Sequence, residues 1–325
     1  MRQAMWRRAA NMVVLSALLG CSAALPDRPV PSAPEPQPAS TPAPSPVALP
    51  AEEPPLPSFR NPPFGPDILV VGDSQISFGA GAGHLALFGN LARSCGANAQ
   101  ERRLLENLDA QSVAAIGVRS SSLNHWSARD AGTKGVICDK DARFGVNAGT
   151  YGVSGPTRSY VQIGEDRPYE FCRPNQSPFE AMFREGYYRP KLVVLAFLGN
   201  SVDRWSDPAT ATADLRASIA QMPDESACVV MSTAAAFDAE VNAKRQLAQR
   251  NLARAVAATG GRCSFAEALT PDLVASVTGN PNDFRINEAG EVLDRFHPNT
   301  KGFERFFQSA TPAICAAVFD QIGPP

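Results

Sequence analysis

Histidine is scarce here, with three residues in a chain of 325. Net charge is also small, a formal −2, so no basic footprint exists for nucleic acid to bind. No apolar run reaches the roughly 18–20 residues that a membrane-crossing helix needs. No Cys-x-x-Cys occurs and no metal-ligand spacing is visible, so no metal and no other cofactor is expected. Composition excludes a wholly disordered chain or a coiled coil, because 44% of residues are hydrophobic and 19% charged.

Proline is abundant but unevenly spread. Of 29 prolines, 16 fall between Pro26 and Pro66. A segment so rich in Pro, Ala, Ser and Glu buries too little apolar surface to offset its ordering entropy. Residues 21–66 therefore read as an extended tether, with a Pro-x-x-Pro docking ligand as the alternative. Ahead of it, Arg2, Arg7 and Arg8 precede an apolar stretch over 9–19, the pattern of a secretory signal. Leu18-Leu19-Gly20-Cys21 resembles a bacterial lipobox. That resemblance implies removal of residues 1–20 and lipidation of Cys21, which would hold the protein at the periplasmic face of a membrane. An ordinary, cleaved signal peptide is the alternative.

Cysteine usage agrees with export. Of seven cysteines, setting Cys21 aside leaves six, an even number in an oxidising compartment. Up to three disulfides are possible, and 15 pairings exist for six cysteines. Cys138 and Cys172 bracket one loop-rich segment and are the favoured pair; buried free thiols are the alternative.

From residue 67 onward, short apolar runs alternate with amphipathic stretches. Strands are expected at 67–72, 112–118, 191–198, 227–232 and 262–265. Helices are expected at 84–108, 178–188, 207–222, 238–259 and 299–319. Buried strands alternating with helices define an α/β fold, a parallel sheet between two helical layers. In such sheets the active site lies at the carboxyl ends of the strands. Residues 127–177 interrupt the alternation, and an insertion this long is usually functional; a lid is one use.

Two strand-end positions carry chemistry. Gly72-Asp73-Ser74 follows the first strand, where a serine hydroxyl can stand above the sheet. Near the end of the chain comes Asp294-Arg295-Phe296-His297-Pro298. A serine nucleophile needs a base, and the base needs a carboxylate to fix its tautomer. Simpler roles also exist: Asp73 as a helix cap, and Asp294 with His297 as a surface turn. His125, beside Trp126, is either a carbohydrate contact or a packed residue. Gly79-x-Gly81-x-Gly83 lacks dinucleotide-loop spacing, and no Gly-x-Ser-x-Gly elbow occurs.

Gly72-Asp73-Ser74 and Asp294-x-x-His297-Pro298, with Asn299 and Gly302 after it, resemble the first and fifth blocks of the SGNH (GDSL-like) hydrolases. The resemblance covers residues 67–319 and implies a three-layer, flavodoxin-like fold with about five parallel strands. It implies Ser74 as nucleophile, His297 as general base and acid, and Asp294 as its orienting partner. Oxyanion donors would be the N–H groups of Ser74 and Ser120 and the side chain of Asn200. Ser120 stands where the family usually has glycine, and Gly199-Asn200-Ser201 lacks the family's following aspartate. Gly152-Val153-Ser154-Gly155 is a rival for the second block. The activity implied is a serine esterase releasing acyl groups, acetyl first among them, from a cell-envelope polysaccharide or a smaller ester. An O-acetyltransferase using the same triad and a non-catalytic envelope lipoprotein are the alternatives.

Overall fold

The computed structural model describes residues 65–129, 160–162, 173, 175–184 and 188–323. The signal segment, the tether with Cys21, the Cys138–Cys172 pairing, Gly152–Thr157 and most of the insertion lie outside the described residues.

Six parallel strands form one sheet: β1 (Ile68–Gly72), β2 (Val113–Gly117), β3 (Tyr160–Gln162), β4 (Leu192–Ala196), β5 (Ala227–Met231) and β6 (Ser264–Ala266). Their order is β3-β2-β1-β4-β5-β6. Five coincide with the strands expected from the sequence, in a flavodoxin-like arrangement. The sixth, β3, extends the edge from within the insertion. Successive side chains of a strand face opposite sides, and both sides are dry. Leu69 and Val71 join one core; Ile68 and Val70 join the other. This explains why β1 reads as an unbroken apolar run rather than an alternation.

Helices cover both faces: α1 (Gly81–Phe88), α2 (Leu91–Ser94), α3 (Ala99–Leu108), α4 (Leu123–Ser127), α5 (Pro178–Phe183), α6 (Leu198–Ser201), α7 (Pro208–Ile219), α8 (Ala239–Ala257), α9 (Pro271–Val277) and α10 (Thr300–Ile322). The single helix expected over 84–108 is three pieces. Asn90 accepts from the Arg93 N–H and starts α2. Asn98 and Glu101 form a reciprocal capping box that starts α3. Those caps satisfy backbone donors locally and so favour restarts over continuation. Helix α7 begins as its sequence suggests, with Asp207 accepting from Ala209 and Thr210 N–H groups before Pro208.

Two disulfides are present among the described residues, Cys95–Cys315 and Cys228–Cys263. The first joins the α2–α3 connection to α10. The second joins β5 to the residue before β6.

Candidate active site

The end of β1 is packed too closely for any side chain at position 72. A Cβ there would lie 2.4 Å from the Ala196 carbonyl oxygen at the end of β4. Asp73 follows and is fully buried. Its Oδ1 accepts from the Gln75 N–H and its Oδ2 from the Asn200 N–H, both at 2.9 Å. Asp73 thus does more than cap: it ties the turn after β1 to the turn after β4. Gly199 is what lets the carboxylate in, since a Cβ there would stand 2.7 Å from Asp73 Oδ2. Burial pushes the Asp73 carboxyl up to about 6, against the backbone hydrogen bonds from Gln75 and Asn200 and the field of Arg245.

Between Asp73 and Gln75 stands Ser74, whose Oγ lies 2.8 Å from His297 Nε2. His297 Nδ1 lies 2.9 Å from Asp294 Oδ2. Asp294 also accepts from the N–H groups of Phe296 and His297, each at 3.0 Å. One carboxylate therefore orders both the turn and the imidazole it carries. Asn299 then accepts from the Gly302 N–H to start α10, while donating to the Asn282 and Phe284 carbonyls. Gly302 has its own steric reason, because a Cβ there would lie 2.4 Å from the Asp283 carbonyl oxygen. So the residues following the Asp–His pair anchor the loop.

Electrostatics favour the neutral imidazole. Burial lowers the His297 pKa, the fields of Arg245 and Arg285 add to that, and Asp294 opposes them without prevailing. Burial alone would raise Asp294; hydrogen bonds from His297 and Phe296, together with the charge interaction with His297, hold the carboxyl below its usual value. A neutral base beside an ionised aspartate is the resting state that deprotonating a serine requires.

A cavity of about 410 Å³ opens over this cluster and is lined by Ser74, Ser120, Asn200 and His297, among others. Ser120 has φ of 59°. That is the left-handed conformation glycine adopts without cost, so serine keeps the backbone shape expected of a glycine. Ser74, Ser120, Asn200 and His297 thus line one cavity, Asp294 contacts His297, and Cys21 lies outside the described residues.

Several neighbours were not legible in advance. Phe78, from a π-helical turn at Ile76–Ala80, stacks on the His297 ring with centroids 4.3 Å apart. Arg245 on α8 is 2% exposed and donates to the Phe296 carbonyl, as does Gln75. The carbonyl just before His297 is therefore held by two donors. In sequence Arg245 is indistinguishable from a solvated helix charge; only its place on the inward face of α8 gives a signal. His84 is buried against Phe88 and Phe307, with burial lowering its pKa to about 3. The His125 ring accepts from the Ser122 N–H, and Trp126 is fully buried, which agrees with the packed alternative for this pair.

No family model matches the chain, and no curated protein matches it. Among solved structures it is similar to an acetylxylan esterase from Geobacillus stearothermophilus, at 11% identity and a TM-score of 0.34, covering 81% of this chain and 96% of that one. It is also similar to a family two carbohydrate esterase from Clostridium thermocellum, at 11% identity and a TM-score of 0.35, covering 79% of this chain and 65% of that one.

Proposed function

We propose that this protein is an SGNH-type serine esterase that removes acyl groups from carbohydrate. One observation carries the reading: the continuous relay from Ser74 Oγ through His297 to Asp294, with separations of 2.8 and 2.9 Å, at the floor of an open cavity.

The chemistry follows from those positions. Ser74 Oγ bonds to the acyl carbon as its proton passes to His297 Nε2. The carbonyl oxygen takes up the negative charge, facing the N–H groups of Ser74 and Ser120 and the amide of Asn200. His297 then gives its proton to the leaving alkoxide as the ester C–O bond breaks. Water attacks the acyl-serine by the same relay, releasing the acid and restoring the Ser74 hydroxyl. Each aligned oxyanion donor contributes about 3–4 kcal/mol to lowering the barrier. Asp73 has a positioning part, because it fixes both Gln75 and Asn200 about the nucleophile.

A fluorophosphonate probe should label Ser74 in the wild type, and labelling should vanish in Ser74→Ala and fall steeply in His297→Ala. A wild type that resists the probe and releases no acetate from acetylated sugars refutes the reading. Transfer of acetyl to added oligosaccharide in preference to water would reassign the enzyme as an acetyltransferase.

We also propose export and anchoring through Cys21, supported by the arginine-flanked apolar stretch and Leu18–Cys21. Incorporation of labelled palmitate in cells, lost in Cys21→Ala, is the expected result.

A further inference from the structure

Charge in the described lining of the Ser74 cavity runs against the chain as a whole, whose formal net charge is −2. Two of the described lining residues are arginines, Arg119 and Arg245, and none is acidic. Two larger cavities among the described residues, each about 610 Å³, mix signs instead. Glu180 and Glu225 accompany Arg129, Arg184 and Arg189 in one; Asp224 and Glu225 accompany Arg189, Lys191 and Arg262 in the other.

Arg119 directly precedes Ser120, so its side chain starts one residue from a proposed oxyanion donor. Its guanidinium carbon lies 4.3 Å from the centre of the Phe78 ring, the ring that stacks on His297. Arg285 approaches the same ring at 5.2 Å. Arg245 supplies positive charge from below. It donates to the Ala234 and Phe296 carbonyls, both neutral, and forms no ion pair among the described residues. A buried guanidinium without a direct counter-ion is costly.

Among the described residues, two carboxylates lie near this charge, and both act on Arg245. Asp73 is fully buried under the nucleophile turn, and Asp294 is engaged by His297 and Arg285. At the rim, Phe296 is 51% exposed and lines the cavity, offering a ring face to the apolar face of a sugar.

We propose that the ester this site accepts belongs to an acidic saccharide, a sugar carrying a carboxylate beside its acyl group, with Arg119 as the residue that receives that carboxylate. The inference rests on the esterase reading. Arg119 determines specificity and takes no part in proton transfer. Guanidinium matches a carboxylate in two-point geometry, which an ammonium does not.

The test uses two acetate esters that differ only at C6: the methyl glycoside of O-acetyl-galacturonic acid, its carboxylate free, and the methyl glycoside of O-acetyl-galactose. Acetate release is followed for the wild type, Arg119→Gln, Arg119→Lys and Ser74→Ala. The expected wild-type result is a kcat/KM about tenfold higher for the galacturonate at low ionic strength, shrinking in 1 M salt. Arg119→Gln should bring the ratio of the two substrates close to one, chiefly through KM, and Arg119→Lys should restore part of it. A ratio at or below one in the wild type overturns the proposal, as does a ratio that Arg119→Gln leaves in place. Equal losses on both substrates in Arg119→Gln also overturn it, and would assign Arg119 to the transition state common to both. If the wild type cleaves neither ester and the probe leaves Ser74 unlabelled, the esterase reading itself has failed.

Discussion

Ser120 shows how a departure from an expected residue can leave a site's shape intact. Its φ of 59° costs a non-glycine residue roughly 1–2 kcal/mol. Replacing it with glycine removes that strain but adds freedom to the unfolded chain, worth about 0.5–1 kcal/mol the other way. Ser120→Gly should therefore retain activity and shift stability by no more than about 1 kcal/mol in denaturant unfolding. Ser120→Val should lose stability and slow the reaction, because a β-branched side chain resists this conformation. A second residue-scale expectation concerns pH. The base works when neutral, and His297 is held below the ordinary histidine value of 6.5. The acid limb of kcat/KM should therefore fall below that pH. Arg285→Gln removes a cation that disfavours the imidazolium, so the His297 pKa should rise and the limb should move to higher pH. A profile unchanged by that substitution would count against the field of Arg285 acting on the base. Both site-bearing turns were legible as residues in the sequence, since each follows a recognisable signal; Arg245 and Phe78 were not, since only packing turns them toward the imidazole.

At the scale of elements, apolar runs located the strands well because both sheet faces are buried. The helical stretch over 84–108 misled for a physical reason: its apolar spacing continues across two breaks set by polar caps. Asn98-x-x-Glu101 carried the signal of a fresh start within an apparently continuous helix. Asn98→Ala should lower stability by about 1 kcal/mol, as judged by chemical denaturation, and leave kcat unaltered. A larger effect on kcat than on stability would mean that α3 reaches the site. Strand β3 was missed because three residues, Tyr160–Gln162, are too few for a periodicity to register. In the turn after β4, where the family's following aspartate is missing, the structure gives Gly199 a reason: it admits the Asp73 carboxylate.

Across the whole molecule, covalent links were foreseeable in kind but not in partner. Cys95–Cys315 spans a sequence separation of 220, Cys228–Cys263 one of 35. Loop-closure entropy assigns them about 5 and about 4 kcal/mol. The Cys95→Ser/Cys315→Ser pair should therefore lower Tm at least as much as the Cys228→Ser/Cys263→Ser pair, measured side by side in a thermal melt. Such distant partners cannot be chosen from spacing, because the fold alone brings α10 back beside the start of the domain. That long link also makes the backbone between its ends dispensable as a tether. Were a protease to cut the chain once between β3 and α5, the fragment carrying the nucleophile and the fragment carrying its base would still migrate together until a reductant was added.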